Sequence, residues 1–262
     1  MRQLLLAIQF LTIIPIRMNI SVSEADIARS SSAFVVVGLF QGLLLIATDY
    51  VFGMVFHPDL VIGIILLVLV LSNGGFHLDG LADTFDAIAA REDKEKKLLI
   101  MKDGTTGPIG VIAIVFSLAI KYLALKNLSH FLTFTYYLSL FLMPILSKWA
   151  MVIAMFYGKP ARENGLGRIF INRIGLKEIA VSTSILLLWL VLPLILFSQY
   201  VSKSQYIFYT VLLLVLYIFS RVWVNFFDKK FCGLTGDTLG AISEITEIIF
   251  LLMVITWSRL FI

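Results

Sequence analysis

Hydrophobic residues occur along this chain in long, nearly unbroken runs that short polar segments separate. A helix that crosses a lipid bilayer needs about 20 mainly apolar residues, and most of the runs are of that order. One shorter, strongly apolar run is ended by Gly74-Gly75. The pattern predicts an all-α fold, a polytopic integral membrane bundle in one domain of 262 residues, with about seven spans at 33–56, 60–73, 108–125, 131–156, 179–200, 206–227 and 239–261.

The N-terminal stretch MRQLLLAIQFLTIIPIR resembles a signal sequence, because a basic residue is followed by an apolar run. It lacks a small-residue cleavage site, and Pro15 ends the run early. We therefore expect residues 1–17 to be retained as an interfacial or partly inserted helix. Full insertion of this segment would add an eighth span.

Basic residues predict the orientation of the spans. Lys and Arg cluster in the connections 90–107, 157–178 and 228–237, whereas the connections 57–59, 126–130 and 201–205 hold at most one each. Cytoplasmic connections carry the excess of Lys and Arg in membrane proteins. The first three connections are therefore expected to share the cytoplasmic face of an inner membrane, and Arg17 and Arg29, before the first long span, agree.

Composition excludes several classes of protein. Hydrophobic residues make up 60% of the chain and charged residues make up 15%. A soluble domain has about 25% charged residues. The net charge is only +4, and the basic residues lie in short connections. We therefore expect contact with membrane lipid and no nucleic-acid partner. Cys232 is the only cysteine, which excludes an internal disulfide, and with three histidines the chain cannot form a common Cys/His zinc site.

An acidic segment follows the short apolar run. In LSNGGFHLDGLADTFDAIAAREDKEKK, Asp79, Asp83 and Asp86 are spaced i, i+4, i+7, so on a helix they project from one side. Three carboxylates on one stripe repel each other unless a cation or a hydrogen-bond donor neutralises them. Hard oxygen ligands at this spacing suit Mg²⁺ or Mn²⁺, completed by substrate phosphates. His77 beside them is a candidate for proton transfer or for a simple hydrogen bond to a neighbouring carboxylate.

A second acidic segment, CGLTGDTLGAISEITE at 232–247, starts the final predicted span. Asp237 opens the helix, and Glu244 and Glu247 lie seven and ten residues further along it. Carboxylates in or near a membrane are candidates for a functional site. Simpler roles remain open, since Asp79 or Asp237 can cap a helix and Glu244 and Glu247 can pair with Lys or Arg from another helix.

Two glycine-rich segments carry basic side chains. MKDGTTGPIG at 101–110 offers Lys102 and Asp103 before a helix N-terminus, and GKPARENGLGR at 158–168 offers Arg162, Glu163 and Arg168. Guanidinium groups and glycine-rich backbone both bind phosphate, although Arg162 and Glu163 also fit a surface ion pair. Acids for metal together with bases for phosphate indicate phosphoryl or nucleotidyl transfer at a membrane surface.

The segments GGFHLDGLADTFDA, MKDGTTGPIG, ARENGLG and GLTGDTLGA occur in this order over essentially the whole chain. They resemble the adenosylcobinamide-GDP ribazoletransferases, also called cobalamin-5′-phosphate synthases. The resemblance implies a bacterial or archaeal enzyme of the cytoplasmic membrane that joins adenosylcobinamide-GDP to α-ribazole, or its 5′-phosphate, and releases GMP. It also implies a divalent cation, usually Mg²⁺.

The resemblance suggests roles for the residues at the matching positions. We expect metal binding by Asp79, Asp83 and Asp237, and proton transfer by Asp86 or His77. Glu244 lies outside the matching segments and is a further candidate metal ligand because it is a carboxylate near the membrane. Lys102, Asp103, Arg162 and Glu163 are expected to bind substrate. Two positions depart from the family pattern: Gly104 stands where a serine is expected, and Lys148 where an arginine is expected.

Two other functions fit parts of the pattern. A CDP-alcohol phosphotransferase-like lipid synthase would use the same metal and diphosphate chemistry, but this chain lacks that family's DG-x-x-A-R arrangement, because Asp83 and not an alanine followed by arginine comes after Asp79-Gly80. A cation-coupled transporter would use Glu244 and Glu247 to carry ions, but its acids should lie near the midplane and its halves should be similar. A homo-oligomer is compatible with each interpretation.

Overall fold

The computed structural model describes residues 2–16, 22–129 and 133–261, and within these ranges it contains helices and no β-strand. The α-helices are α1 Arg2–Leu11, α2 Glu24–Arg29, α3 Phe34–Gly53, α4 Pro58–Ser72, α5 Phe76–Ala89, α6 Lys94–Ile100, α7 Pro108–Ser129, α8 Thr133–Tyr157, α9 Leu166–Phe170, α10 Leu176–Leu196, α11 Lys203–Phe231 and α12 Gly236–Phe261. Short 3₁₀ turns, Ser30–Ala33 and Ser198–Tyr200, precede α3 and α11.

Six helical segments of the described chain are long and apolar enough to cross a membrane. They contain α3, α7, α8, α10, α11 and α12, which confirms the predicted all-α membrane bundle and six of its expected spans. The first of these segments is longer than expected, because α2 and the 3₁₀ turn continue into α3 and make a stretch from Glu24 to Gly53. The predicted start of the fourth span, at residue 131, lies outside the described residues.

The short run at 60–73 forms half of a bent pair. Helix α4 ends at Ser72, and α5 leaves it at an angle of 85°. Gly74 has a φ of 65° and Gly75 has a φ of 75°. Glycine adopts such positive φ angles at little cost. The side chain of Asn73 accepts a hydrogen bond of 3.1 Å from the Gly75 N–H. The break therefore sets the direction of the helix that carries the acidic residues.

Helix α8 forms the centre of the bundle and is buried along almost its whole length. Gly38 and Gly42 of α3 form a small-xxx-small pattern, which allows close packing of membrane helices. A Cβ atom on Gly38 would lie 2.5 Å from the Pro144 carbonyl oxygen, and one on Gly42 would clash with that of Phe141. The backbones of α3 and α8 are thus in direct contact.

The N-terminal helix packs on the bundle beside α3. Its residues Leu6, Ala7 and Leu11 are buried, and the ring of Phe10 lies 5.8 Å from Phe34 and 4.5 Å from Phe170. The expected helix at 1–17 thus runs from Arg2 to Leu11, and residues 1 and 17 lie outside the described chain. Its position at a membrane interface stays a prediction.

Candidate active site

The three basic connections of the chain meet at one end of the bundle. The backbone at 159–161 pairs with Leu234: the Ala161 N–H donates to the Leu234 carbonyl over 2.9 Å, and the Leu234 N–H donates to the Lys159 carbonyl over 2.8 Å. The guanidinium group of Arg162 donates to the carbonyl oxygen of Leu98, on α6. The motifs that are far apart in sequence are thereby brought together, as the alternating distribution of basic residues predicts.

Lys159 holds the second connection to the end of α11. Its ammonium group lies 2.9 Å from Asp228 Oδ1, and this hydrogen bond and the carboxylate charge raise the pKa of Lys159. Further along the same connection, Arg168 and Arg173 both bind Glu24 of α2, at 3.2 and 2.6 Å. The glycine-rich segment is therefore anchored to α11 at one end and to α2 at the other.

Helices α5 and α12 touch through glycine. A Cβ atom on Gly80 would lie 2.7 Å from the Asp237 carbonyl oxygen, and one on Gly240 would lie 3.1 Å from the Cα of His77. At Gly80 only glycine permits this approach, which sets the start of α12 against the acidic side of α5. The two acidic motifs of the sequence therefore form one cluster.

Asp83 is the buried member of that cluster. Its side chain is only 8% exposed, and the negative charges of Asp79, Asp237 and Asp86 oppose its ionisation, while Arg162 favours it. Asp79 is exposed, and Asp86 and Asp237 are half-buried. Such a set has an excess of negative charge that a bound cation would relieve.

Asp237 is free of the capping role that its position suggests. Thr235 caps α12, because its hydroxyl accepts from the Thr238 N–H at 3.2 Å while the Thr238 hydroxyl accepts from the Thr235 N–H at 2.9 Å. The Thr235 hydroxyl also lies 3.2 Å from Asp237 Oδ2 and orients that carboxylate. At the start of α5 the cap is Gly75, so Asp79 does not cap that helix either. Neither carboxylate is consumed by capping, and both can bind a ligand.

Asp86 links two of the sequence motifs. Its Oδ2 accepts a hydrogen bond of 2.7 Å from the Gly107 N–H, and its Oδ1 accepts one of 2.8 Å from the Gly110 N–H. The carboxylate therefore satisfies unpaired N–H groups at the start of α7 and holds the segment that carries Lys102 and Asp103. Its expected role in catalysis stays a prediction.

Glu244 and Glu247 contact a lysine of another helix, which is the simpler of the two roles considered for them. Lys121 of α7 binds Glu244 Oε2 at 2.6 Å and also pairs with Glu247. The Ser117 hydroxyl donates to the same oxygen of Glu244 over 3.1 Å. Metal binding by Glu244 stays a prediction, with the ammonium group of Lys121 beside it.

A cavity of about 450 Å³ opens at this cluster. It is lined by four of the predicted site residues, His77, Asp79, Arg162 and Asp237. Apolar side chains from several elements form the rest of its wall, among them Phe10 of α1 and Phe76 of α5. The cavity therefore offers carboxylates and a guanidinium group beside an apolar surface, which suits a ligand with both phosphate and ring systems.

Lys102, Asp103 and Glu163 are predicted site residues that do not line this cavity. Lys102 and Asp103 are exposed on the connection before α7, where the Thr105 hydroxyl donates to Asp103 over 2.9 Å. Glu163 is exposed and lines a smaller cavity of about 330 Å³ with Arg162, Arg168 and Arg173. The two cavities share Arg162 and Arg168, so arginines form the boundary between them.

The carboxylates fit a Mg²⁺ ion that a substrate helps to hold. Across the described ranges, no group of three His, Cys, Asp or Glu side chains has the geometry to hold a metal ion alone. Protein Mg²⁺ sites often use one or two carboxylates and complete the shell with water and substrate phosphates. Asp79 and Asp237 on the cavity wall are two such carboxylates. Asp83 lies close enough for their negative charges to oppose its ionisation, and a cation bound among the three would relieve that repulsion.

Several residues around the site are not among those that the sequence predicts for it. Thr235 stands in a glycine-rich segment whose signal points to Asp237, and Asn73 marks only the end of a predicted span. Lys121 lies in the middle of an apolar run, and Lys148 departs from a family pattern. A lysine within a predicted span is unfavourable, and that cost is a signal by which both lysines can be identified.

Comparisons with known proteins agree with these features. The family described as Cobalamin-5-phosphate synthase matches residues 3–255. The chain is 36% identical to a protein of Thermodesulfovibrio yellowstonii over 263 residues, which cover 98% of this chain and 96% of the relative. It is 33% identical to one of Thermoanaerobacter sp. (strain X514), with 98% of each covered, and 34% identical to one of Geotalea daltonii, with 97% of each covered. All three are named adenosylcobinamide-GDP ribazoletransferase. No solved structure matches the chain.

Proposed function

The chain belongs to the Cobalamin-5-phosphate synthase family, and on that premise we propose that its cavity is the site at which adenosylcobinamide-GDP is joined to α-ribazole or α-ribazole 5′-phosphate. The observation that carries this proposal is the meeting of Asp79, Arg162 and Asp237, from three separate motifs, on one cavity wall. The family match over residues 3–255 does not favour a lipid synthase or a transporter.

The reaction exchanges one phosphoester linkage for another. A ribose hydroxyl oxygen of α-ribazole forms a bond to the phosphorus nearest cobinamide, and the bond from that phosphorus to the bridging oxygen breaks. GMP leaves with the bridging oxygen, and the hydroxyl proton is released. Such a transfer needs an in-line nucleophile and neutralisation of charge on the transferred group and the leaving group.

Arg162 is the side chain that directly binds phosphate in this proposal. It lies on the boundary of both cavities, and its guanidinium group is fixed by the Leu98 carbonyl. A planar guanidinium group binds phosphate oxygens in pairs. Arg168 is held by Glu24 and adds positive charge beside Arg162. Lys102 is exposed and follows Met101, whose sulfur lies 3.9 Å from the Thr235 hydroxyl of the cavity wall, and it is expected to contact the substrate from the open side.

Asp79, Asp83 and Asp237 are the residues that would hold Mg²⁺. Asp79 and Asp237 contribute oxygens from the cavity wall, and Asp83 contributes negative charge from behind. Bound there, Mg²⁺ would withdraw charge from the diphosphate and from the departing GMP. Asp86, whose oxygens hold the start of α7, keeps the Lys102 segment in place and remains the candidate acceptor for the hydroxyl proton.

The site is proposed to face the cytoplasm. The three connections that form it are the ones rich in Lys and Arg, and nucleotide substrates are found on that side of the membrane. The acidic cluster then lies at the membrane edge, where polar substrates reach it without crossing lipid.

The test uses the purified protein in detergent with adenosylcobinamide-GDP and α-ribazole, in Mg²⁺ or in EDTA. GMP and the cobamide product are measured by mass spectrometry. We expect equimolar products with Mg²⁺ and none with EDTA. A folded protein that makes no product with Mg²⁺ contradicts the proposed reaction, whereas equal rates in EDTA contradict only the metal.

A further inference from the structure

Four ionisable side chains are buried among the spanning helices, directly behind the cavity. Lys121 of α7, Lys148 of α8 and Glu244 and Glu247 of α12 are each at most 3% exposed. Charged groups within a membrane are costly, and they occur where they pair with one another or serve a function. The chemistry proposed above uses none of these four side chains, and Glu244 is a metal ligand only in the expectation from sequence, so the presence of the group requires another explanation.

The cluster is balanced in charge but not in its hydrogen bonds. Lys121 binds both carboxylates, and the Ser147 hydroxyl donates to Glu247 Oε1 over 3.0 Å. Two lysines and two glutamates give a net charge of zero. Among the described residues, however, Lys148 has no hydrogen bond to a carboxylate. The charge of Lys148 is balanced by the two glutamates of the cluster, but its N–H groups do not donate to them.

Lys148 directs its ammonium group toward His77. The Lys148 Nζ lies 3.4 Å from His77 Nδ1, 3.4 Å from the Ser147 hydroxyl and 3.5 Å from the Ser243 hydroxyl. His77 Nδ1 also lies 3.4 Å from Asn73 Nδ2 and 3.4 Å from the Ser243 hydroxyl. An ammonium group has only donors, so His77 Nδ1 is the acceptor in this arrangement. A neutral imidazole that accepts at Nδ1 carries its hydrogen on Nε2.

The other ring nitrogen of His77, Nε2, is available to a ligand in the cavity. His77 lines that cavity together with Asp79 and Arg162, and in the described part of the chain no protein group hydrogen-bonds to Nε2. We propose that Lys148 is a positioning residue that fixes His77 as a hydrogen-bond donor, through Nε2–H, to an oxygen of the bound substrate. This inference rests on the proposed function for the identity of the substrate. It replaces the expected role of His77 as a base, because the nitrogen that would accept a proton is already in contact with donors.

The first test measures the tautomer directly and needs no substrate. Histidine labelled with ¹⁵N is incorporated into the protein, and the ring nitrogen shifts are recorded by NMR in detergent or in a bilayer. His77→Gln identifies the resonances of His77, and the exposed His57 provides the matched control through His57→Gln. We expect the Nε2–H form at position 77. A Nδ1–H form or a doubly protonated ring would overturn the proposal.

The second test compares side chains that keep one nitrogen position each. The amide nitrogen of Gln reaches about the place of Nε2, and that of Asn about the place of Nδ1. If Nε2–H donates to substrate, His77→Gln keeps GMP release within about tenfold of wild type, whereas His77→Asn loses about ten- to hundredfold. His57→Gln should leave the rate unchanged. Equal losses in the Gln and Asn variants would contradict donation from Nε2.

Lys148 is tested by removing its charge or keeping it. Lys148→Arg retains a donor toward His77 and should retain the Nε2–H form, whereas Lys148→Met should let the ring adopt other forms and should reduce kcat more than it changes KM. A Lys148→Met protein with an unchanged tautomer would overturn the positioning role. If that variant does not fold, the Arg variant and the two His77 variants still decide the question. Failure of the wild-type protein to release GMP would contradict the proposed function, and the tautomer measurement would stand independently.

Discussion

Asp83 combines burial with the charge of three neighbouring carboxylates, an arrangement that is unfavourable for the protein without a ligand. Asp79, Asp86 and Asp237 all oppose its ionisation. A buried carboxylate among like charges destabilises the folded protein unless a cation is bound. The arrangement of Asp83 that favours cation binding therefore lowers the stability of the protein without the cation.

Replacing Asp83 by Asn should separate these two effects. We expect Asp83→Asn to lower GMP release by about a hundredfold or more, because the amide does not supply the negative charge that the metal needs. The melting temperature in EDTA should equal or exceed that of the wild type, because the repulsion is gone. Rate and melting temperature are measured on the same preparation, with the exposed Glu95→Gln as a control that changes neither. Near-normal turnover in Asp83→Asn would contradict its place in the metal site.

The acidic stripe is predictable from sequence because i, i+4, i+7 spacing is a local property of one helix. The full set of His77 partners is not, because only Asn73 is close in sequence, whereas Lys148 and Ser243 come from separate parts of the chain. The cap of α12 is only partly predictable from the sequence. Thr235 in the segment T-x-x-T and Asp237 are both suitable capping residues, and the hydrogen bonds between Thr235 and Thr238 show that Thr235 is the cap. Local spacing thus identified candidate ligands, and long-range packing determined what each one contacts.

At the scale of the element, the contact between α5 and α12 controls the site, and it depends on Gly80. Gly80→Ala places a methyl group 2.7 Å from the Asp237 carbonyl, so the two helices must separate. We expect loss of most activity and destabilisation by about 1–3 kcal/mol, the usual cost of overpacking.

Gly63 of α4 provides the matched control for this prediction. Apart from its chain neighbours and the backbone of its own helix, no atom lies within 4 Å of a Cβ atom added there, and alanine is favoured over glycine in a helix by about 1 kcal/mol. Gly63→Ala should therefore keep full activity and unfold at the same or a higher temperature. GMP release and thermal unfolding are compared in the two variants, and an active, stable Gly80→Ala protein would show that close approach is not required.

The spans were predictable as elements, and their arrangement was not. Long apolar runs identify α3, α7, α8, α10, α11 and α12 because a bilayer imposes their length. Gly74-Gly75 was recognised as the end of a run, but the 85° turn depends on two positive φ angles and on the Asn73 side chain. Hydropathy measures how apolar a segment is and holds no information about the angle between two helices. The apolar run that forms α4 therefore has the same hydropathy whether it is one short span or half of a bent pair.

At the scale of the molecule, the positions of the connections make a prediction about sidedness. Cys232, the only cysteine of the chain, is exposed at the end of α11, two residues before Leu234, which pairs with the backbone at 159–161. Ser198 lies before the start of the same helix. Helix α11 has 29 residues, and an α-helix rises by about 1.5 Å per residue. Because that length is enough to cross a bilayer, the two positions should lie on opposite faces of the membrane.

A membrane-impermeant maleimide should distinguish the two faces. We expect it to label Cys232 in inside-out vesicles and to leave it unlabelled in intact cells. The double variant Cys232→Ser/Ser198→Cys should show the reverse. Labelling is read by mass shift, and detergent-solubilised protein gives the maximum for each. Labelling of Cys232 from outside intact cells would contradict a cytoplasmic site.

The buried cluster also has a consequence for the order in which the protein is made. Ribosomes deliver α7 and α8 to the membrane before α12, so Lys121 and Lys148 enter lipid before Glu244 and Glu247 exist. An unpaired buried charge costs several kcal/mol, and the growing bundle carries two of them until α12 arrives. Chains that stop before residue 236 therefore expose unbalanced charge inside the bilayer, a feature by which quality-control proteases can recognise them. Completion of the bundle and completion of the active site are thus one event in biogenesis.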